Sequence, residues 1–236
     1  MTPGEEFIRL LSHVKRNIIA DMDMGLESPF MPDLFKAGQG IPAISAGSLG
    51  ELEQFLGDCK RCKLHNTRTN LVFGEGNPKA RLLFIGEAPG RDEDLSGRLF
   101  FGEAGKLLTR IIEGGMGLKR EDVYICNVVK CCPPDNRHPE KDETTACVPF
   151  LQDQIRLIGP EVICTLGRTA GSELLGMNFK IAEERGKWHS CMGIPVMPTY
   201  HPAYIIRNPS RERELKGLVW ADVQKIMTRL GIEVKR

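Results

Sequence analysis

The stretch from Arg81 to Leu108 constrains this chain most: RLLFIG, then EAPGRDEDLSGRLFFGEAGKLL. Its apolar run, Leu82 to Ile85, predicts a short buried strand. At Gly86 the run gives way to a loop carrying Glu87, Pro89, Gly90, Asp92, Glu93 and Asp94, followed by Phe100 and Phe101. Gly102 to Gly105 then lead into an amphipathic helix with Leu107, Leu108, Ile111 and Ile112 on one face. Open α/β sheets bind ligands outside the carboxyl ends of their strands, which is where this loop falls. Tight-turn glycines, clustered carboxylates and an aromatic pair suit a binding loop better than a plain connection.

Further strands are predicted at Val123–Val129, Val162–Leu166 and Ile194–Thr199, with helices over 139–158, 169–175 and 211–230. Strands alternating with helices predict a parallel sheet covered on both faces. Ser48-Leu49-Gly50-Glu51 is a capping box that starts a helix ending near Gly57. Thr2-Pro3-Gly4-Glu5 is another, and Phe7, Leu11, Val14, Ile18 and Ile19 follow it at helical spacing. A helix over 3–20 and a linker over 21–47 are therefore expected. They divide the chain into an extension, 1–46, and one domain, 47–236. The extension reads either as an accessory helix packed on the domain or as a helix that binds a protein partner.

Hydrophobic residues make up 41% and charged residues 27%, as in soluble globular proteins. No apolar run approaches the roughly 18 residues of a membrane span, and no secretory signal is visible, so a cytoplasmic protein is expected. The net charge of +1 does not announce a nucleic-acid binder. Six acids against four bases in residues 1–40 leave +3 for the rest, which permits a local basic surface.

Eight cysteines without a secretory signal argue against disulfides. Cys126 and Cys164 fall inside apolar strand patterns, and Cys191 reads as a turn residue. There remain Cys59-Lys60-Arg61-Cys62, Cys131-Cys132-Pro133-Pro134 and Cys147. A C-x-x-C pair holds two thiolates near one point, and four ligands complete either a zinc site or an iron–sulfur cluster. Spacing alone leaves both open.

Asn127-Val128-Val129-Lys130 ends its predicted strand, which puts Asn127 near the carboxyl end, and its amide carries the donors and acceptor needed to read a base edge. His201, in TYHPAY, follows the last strand. With the first loop, these residues place three polar groups at three strand ends. Asn136 and Arg137 lie in the Pro-rich loop and are placed to orient neighbours. Arg207, Arg211, Arg213 and Lys216 lie beyond, as a solvated helix face or as contacts to phosphates.

With these residues assembled, the chain resembles the family 4 uracil-DNA glycosylases, the iron–sulfur type. The resemblance rests on VFGEGNPKARLLFIGEAPGRDEDLSGRLFFGEAGKLL, NVVKCCPPDNRHPE with Cys147 after it, TYHPAYIIRNPS, and the Cys59/Cys62 pair, spanning about 49–228. It implies a three-layer α/β/α fold around a central, mostly parallel four-stranded sheet. It also implies a [4Fe–4S] cluster on Cys59, Cys62, Cys131 and Cys147. The implied base pocket is Glu87, Ala88, Pro89, Gly90, Phe100, Asn127 and His201. In it Phe100 stacks on the flipped uracil, Asn127 reads its edge and His201 donates to O2. Glu87 places water or steadies the sugar cation, with Glu93 and Asn136 in support. Three positions depart from the pattern: Leu99 replaces a proline, Phe101 a valine and Cys132 an arginine. Ala88 stands where cluster-free uracil glycosylases carry an aspartate, which family 4 also lacks. The implied activity is hydrolysis of uracil from DNA by a monomer. Two alternatives are a glycosylase for another deaminated base, such as hypoxanthine, and a metal-containing module that binds DNA without chemistry.

Overall fold

The structure, a computed structural model, describes residues 46–176 and 179–234. The expected N-terminal helix and nearly all of the linker lie outside these residues. The strands are β1 (Glu75–Gly76), β2 (Leu82–Gly86), β3 (Tyr124–Asn127), β4 (Val162–Leu166), β5 (His189–Cys191) and β6 (Ile194–Thr199). The α-helices are α1 (Leu49–Leu56), α2 (Arg91–Ser96), α3 (Glu103–Arg110), α4 (Lys141–Ile158), α5 (Gly167–Leu175), α6 (Ile181–Glu184), α7 (Pro202–Ile206) and α8 (Glu212–Arg229).

All strands belong to one sheet of order β1-β3-β2-β4-β6-β5. The inner four are parallel, as expected, and β1 and β5 add antiparallel edges that extend the expected four-stranded sheet to six. Each edge strand lacked a sequence signal. β1 has only two residues. β5 turns into β6 through Met192 and Gly193, both at positive φ. That is the primed hairpin turn, made here without the Asn-Gly or Asp-Gly pair that announces it. Cys191, expected in a turn, is a buried strand residue for this reason.

Alternate residues of β2 face opposite layers. Leu82 and Phe84 pack with Leu107 and Leu108 of α3 and with Leu215, Val219 and Val223 of α8. Leu83 and Ile85 pack with Val148, Leu151 and Ile155 of α4 and with Ala170 and Leu174 of α5. The result is a three-layer α/β/α sandwich, and because both faces are covered β2 and β4 are buried along their whole lengths. Against α4 also lies α1, whose Leu52 and Leu56 meet Phe73 and Phe150. Ser48 Oγ accepts from Glu51 N at 3.2 Å, the cap half of the predicted box, while Glu51 Oε2 reaches one residue further back and accepts from Gly47 N at 2.8 Å rather than from Ser48 N.

From β2 the chain passes to β3 on one side, whereas β4 passes it to β6 on the other. The loops therefore diverge above the carboxyl ends of the central strands and open a crevice there. One buried carboxylate fixes the far wall of that crevice. Asp222 of α8 accepts from Thr199 Oγ1 at 2.7 Å and from Arg185 Nε at 3.0 Å, tying the helix to the last residue of β6. Replacing Asp222 with Ala strands a largely buried guanidinium and should cost about 3 kcal/mol. For a domain of this size we expect the thermal midpoint to fall by roughly 5–10 °C. A midpoint within about 1 °C of the parent would show that this tie is not needed.

Candidate functional site

Gly86 and Asn127 are register partners at the ends of β2 and β3. A Cβ on Gly86 would stand 2.2 Å from Asn127 Oδ1 and 3.0 Å from Phe100 Cζ, so glycine is what lets the amide and the ring close over the strand end. Asn127 is 1% exposed, and neither Nδ2 nor Oδ1 has a hydrogen-bond partner among the described residues. No other described side chain leaves both an N and an O atom in that state. A buried polar atom without a partner costs about 1–3 kcal/mol, so a whole unpaired amide marks a place where a ligand supplies the complement.

Phe100 takes φ +46°, a conformation L residues rarely adopt. It sits tightly on the helix start beneath it, where a Cβ on Gly105 would lie 1.5 Å from Phe100 O. Arg120 Nη2 holds the preceding carbonyl, Leu99 O, at 2.8 Å, while its Nε bonds Glu75 at 3.0 Å. Thus held, the Phe100 ring stacks on His201 at 5.6 Å between centroids, tilted by 27°.

His201 caps α7, and its Nδ1 accepts from Ala203 N at 3.1 Å. A backbone amide only donates, so the neutral ring carries its proton on Nε2. Burial against the loop pushes its pKa down to about 4; Glu87 opposes that shift and Arg207 adds to it. The site therefore holds a neutral imidazole with one N–H free to donate. Glu87 Oε1 is bonded to His138 Nδ1 at 2.6 Å. Its loop runs beside β3 because Val128 N and Val129 N leave the ladder to bond Gly86 O and Glu87 O at 2.9 and 3.1 Å. That departure ends β3 at Asn127, two residues earlier than expected.

The segment after Ala88 and the buried Pro89, expected as open loop, winds into α2 with Gly90 as its cap. Glu93 Oε2 accepts from Gly90 N at 2.9 Å. Burial raises the Glu93 pKa, and the amides of Gly90, Phe100 and Phe101 partly offset this. Asn136 Oδ1 accepts from Arg91 N at 3.1 Å. Both residues brace the loop through backbone groups. So does Asp94, whose carboxylate accepts from Thr69 N at 2.9 Å and Asn70 N at 3.1 Å. The bracing roles of Asp94 and Arg120, and the His138 contact to Glu87, had no sequence signal, because each joins segments far apart in the chain. Of the distal cations, Arg211 pairs with Glu214 and Lys216 with Glu212 on the exposed start of α8.

Cys59, Cys62, Cys131 and Cys147 form a neighbourhood of thiols. Cys59 raises the Cys62 pKa, Cys59 and Cys62 raise that of Cys131, and Cys131 and Cys62 raise that of Cys147, each on top of burial. Cys147 is pushed up to about 12. Cations lean on the group: Arg68 Nη1 is 3.3 Å from Cys131 Sγ and Arg61 Nη1 is 3.3 Å from Cys59 Sγ. Lys130, buried beside them, bonds Asn127 O at 2.5 Å and Gln154 Oε1 at 2.6 Å, and its charge lowers the Cys147 pKa. Cys132 turns elsewhere, its Sγ 3.5 Å from Pro133 O and 3.6 Å from Asn136 Oδ1. Among the described residues, no three His, Cys, Asp or Glu groups converge closely enough to hold a single metal ion. The four are soft thiols with Arg61, Arg68 and Lys130 against them and with Glu143 and Asp142 acting on Cys62, a donor set that fits a thiolate-bound cluster.

The sequence model of the uracil DNA glycosylase superfamily matches residues 73–224. The chain is 48% identical over 197 residues to a type-4 uracil-DNA glycosylase of Sulfurisphaera tokodaii, covering 80% of this chain and 87% of that one. It is 51% identical over 166 residues to the type-4 enzyme of Saccharolobus solfataricus (67% and 77% covered). With the type-4 enzyme of Thermotoga maritima it shares 48% over 169 residues (71% and 86% covered).

The His201 environment has a measurable consequence. Its folded pKa, about 4, lies below the ordinary 6.5, so between those values the unfolded chain binds a proton that the folded chain refuses. Its contribution to stability is present above 6.5 and is lost as the pH falls toward 4. In a nitrogen-detected NMR titration we expect His201 neutral and protonated on Nε2 at pH 6. An imidazole that titrates near 6.5 would contradict the half-buried, capping geometry.

Proposed function

The chain belongs to the uracil DNA glycosylase superfamily, and from that premise we propose that it excises uracil from DNA, cutting the bond between base and deoxyribose to leave an abasic site. The observation that carries this reading is the unpartnered Asn127 amide, buried under Phe100 at the strand end. Uracil presents N3–H and O4 side by side, an edge that one amide oxygen and one amide nitrogen complete. Cytosine reverses that pattern. The base must first leave the helix, at a cost of a few kcal/mol. Phe100 then offers its face for stacking.

Bond cleavage leaves a cation-like sugar and an anionic base, and preorganised donors aimed at developing charge are the main source of acceleration. His201, held neutral, donates from Nε2 to uracil O2 as charge builds there. Backbone N–H groups of the first loop assist. Glu87, tethered by His138, supplies the negative charge that steadies the sugar and orients the incoming water. Glu93 and Asn136 keep the loop in place. We propose that the enzyme acts on DNA as a monomer.

We further propose that Cys59, Cys62, Cys131 and Cys147 hold a [4Fe–4S] cluster. When bound, it supplies a structural crosslink between the segment after α1 and the loop after β3. Arg68 prefigures that link by bonding Cys59 O at 2.7 Å as well as touching Cys131 Sγ. Replacing Cys62 with Ala should release the iron, abolish visible absorption and give poorly soluble protein. Cys132→Arg should keep its full iron content, since that side chain faces Asn136 and the acidic start of α2. Iron retained in the first variant, or lost in the second, would overturn the ligand set.

The function is tested by Asn127→Asp in single-turnover release of uracil and of cytosine from matched oligonucleotides. A carboxylate keeps the bond to N3–H but opposes O4, so uracil release should slow by roughly a hundredfold, or about 2–3 kcal/mol. Weak release of cytosine should appear, because its exocyclic amine can donate to the new oxygen. An iron-replete variant that keeps uracil release within about tenfold of the parent would remove Asn127 from base reading.

A further inference from the structure

Beside the base site lies a recess of about 300 Å³, bounded by the Arg98–Phe101 segment, Lys106 and Arg120. Phe100 belongs to both places: its ring stacks on His201, and the residue also lines the recess. The next residue, Phe101, is 51% exposed, and Arg98 lies over its ring with the guanidinium carbon 5.6 Å from the centroid. Arg120 forms a fixed wall, committed to Glu75, Thr109 and Leu99 O. The other two cations are available. Arg98 pairs with no carboxylate among the described residues, and Lys106 meets only Glu103, an exposed pair of the kind that contributes little. A half-exposed aromatic ring, with Arg98 over one face and with cations that no carboxylate holds tightly, is the equipment that stacks one nucleobase and meets its phosphate.

We propose that this recess is a subsite for the nucleotide adjoining the extruded uracil on the same strand, with its base on Phe101 and its phosphate on Arg98 and Lys106. The occupant follows from continuity. Phe101 is one residue beyond the ring assigned to uracil, so the nucleotide covalently next to that uracil reaches it without a separate binding event. Charge supports the same occupant, because the rim offers cations to a phosphodiester. The apolar floor of Leu99 and Phe101 suits a base rather than a free anion. The inference rests on the uracil-excision reading and adds to it a preference for a filled neighbouring position.

The test uses the full chain and single-stranded oligonucleotides carrying one uracil, in which the 5′ or the 3′ neighbour is replaced by a spacer without a base. Single-turnover uracil release should fall about tenfold with the spacer on one side only, the scale of one base–aromatic stack. Phe101→Ala should slow the intact substrate by a similar factor, and the two losses should not multiply. Phe101→Leu, which keeps apolar bulk without the aromatic face, should behave like the Ala variant and guards against a folding defect. If neither spacer changes the rate by more than about twofold, or if the two losses multiply, the subsite is refuted while uracil excision stands. If no substrate releases uracil, the excision reading itself fails, and the subsite with it.

Discussion

The site depends on two backbones meeting at one height. β2 and β3 run parallel in a register that sets Gly86 opposite Asn127. Because Gly86 has no side chain, the Asn127 amide and the Phe100 ring share the space over the strand end. A shift of one residue would turn the Asn127 side chain to the other face of the sheet. The register is secured from both sides, since β2 and β3 are buried along their whole lengths and a slip would expose their apolar residues or bury polar ones. Core packing thus fixes the position of the one buried side-chain amide left wholly unpaired among the described residues.

From that point the supports radiate to distant parts of the chain. Behind Asn127, Lys130 bonds its carbonyl and reaches Gln154 of α4, which in turn holds Phe73 O at 3.0 Å. The same lysine lies beside the thiols, so the end of β3 proposed to read the base and the proposed cluster share one buried cation. In front, Phe100 is held by Gly105, Arg120 and the amides that Glu93 engages. His201 is placed by its cap on α7, two residues beyond Thr199 and its tie to Asp222. Rigidity of this kind suits a reaction whose acceleration comes from donors already in position when charge develops.

Much of this was legible in the sequence, for identifiable reasons. Apolar runs announced the four parallel strands, and helical periodicity announced α4, α5 and α8, because burial on both faces leaves strong patterns. The residues at the strand ends stood out because Gly86, Asn127 and His201 interrupt apolar runs. What stayed hidden was contact between segments far apart. Glu87 with His138, Asp94 with Thr69 and Asn70, and Arg120 with Leu99 O are joined only by folding. The short edge strands were hidden for a different reason: two or three residues cannot show a period, and the β5–β6 turn is built from Met192 and Gly193. The resemblance alone named Cys131 rather than its neighbour Cys132; what each thiol faces, Arg68 for the first and Pro133 O and Asn136 for the second, was not legible in the sequence.

The central claim is that uracil completes the Asn127 amide, and the amide itself can report on this. The measurement is the side-chain ¹⁵N–¹H signal of Asn127 during titration with a single-stranded oligonucleotide carrying 2′-fluoro-2′-deoxyuridine. The fluorine withdraws electrons from the sugar and so resists formation of the cation, which leaves the base attached. One proton of the amide should move downfield as Nδ2 donates to O4, and the matching cytosine oligonucleotide should produce no such shift. An Asn127 signal that stays unchanged while the uracil oligonucleotide saturates the protein would contradict the account.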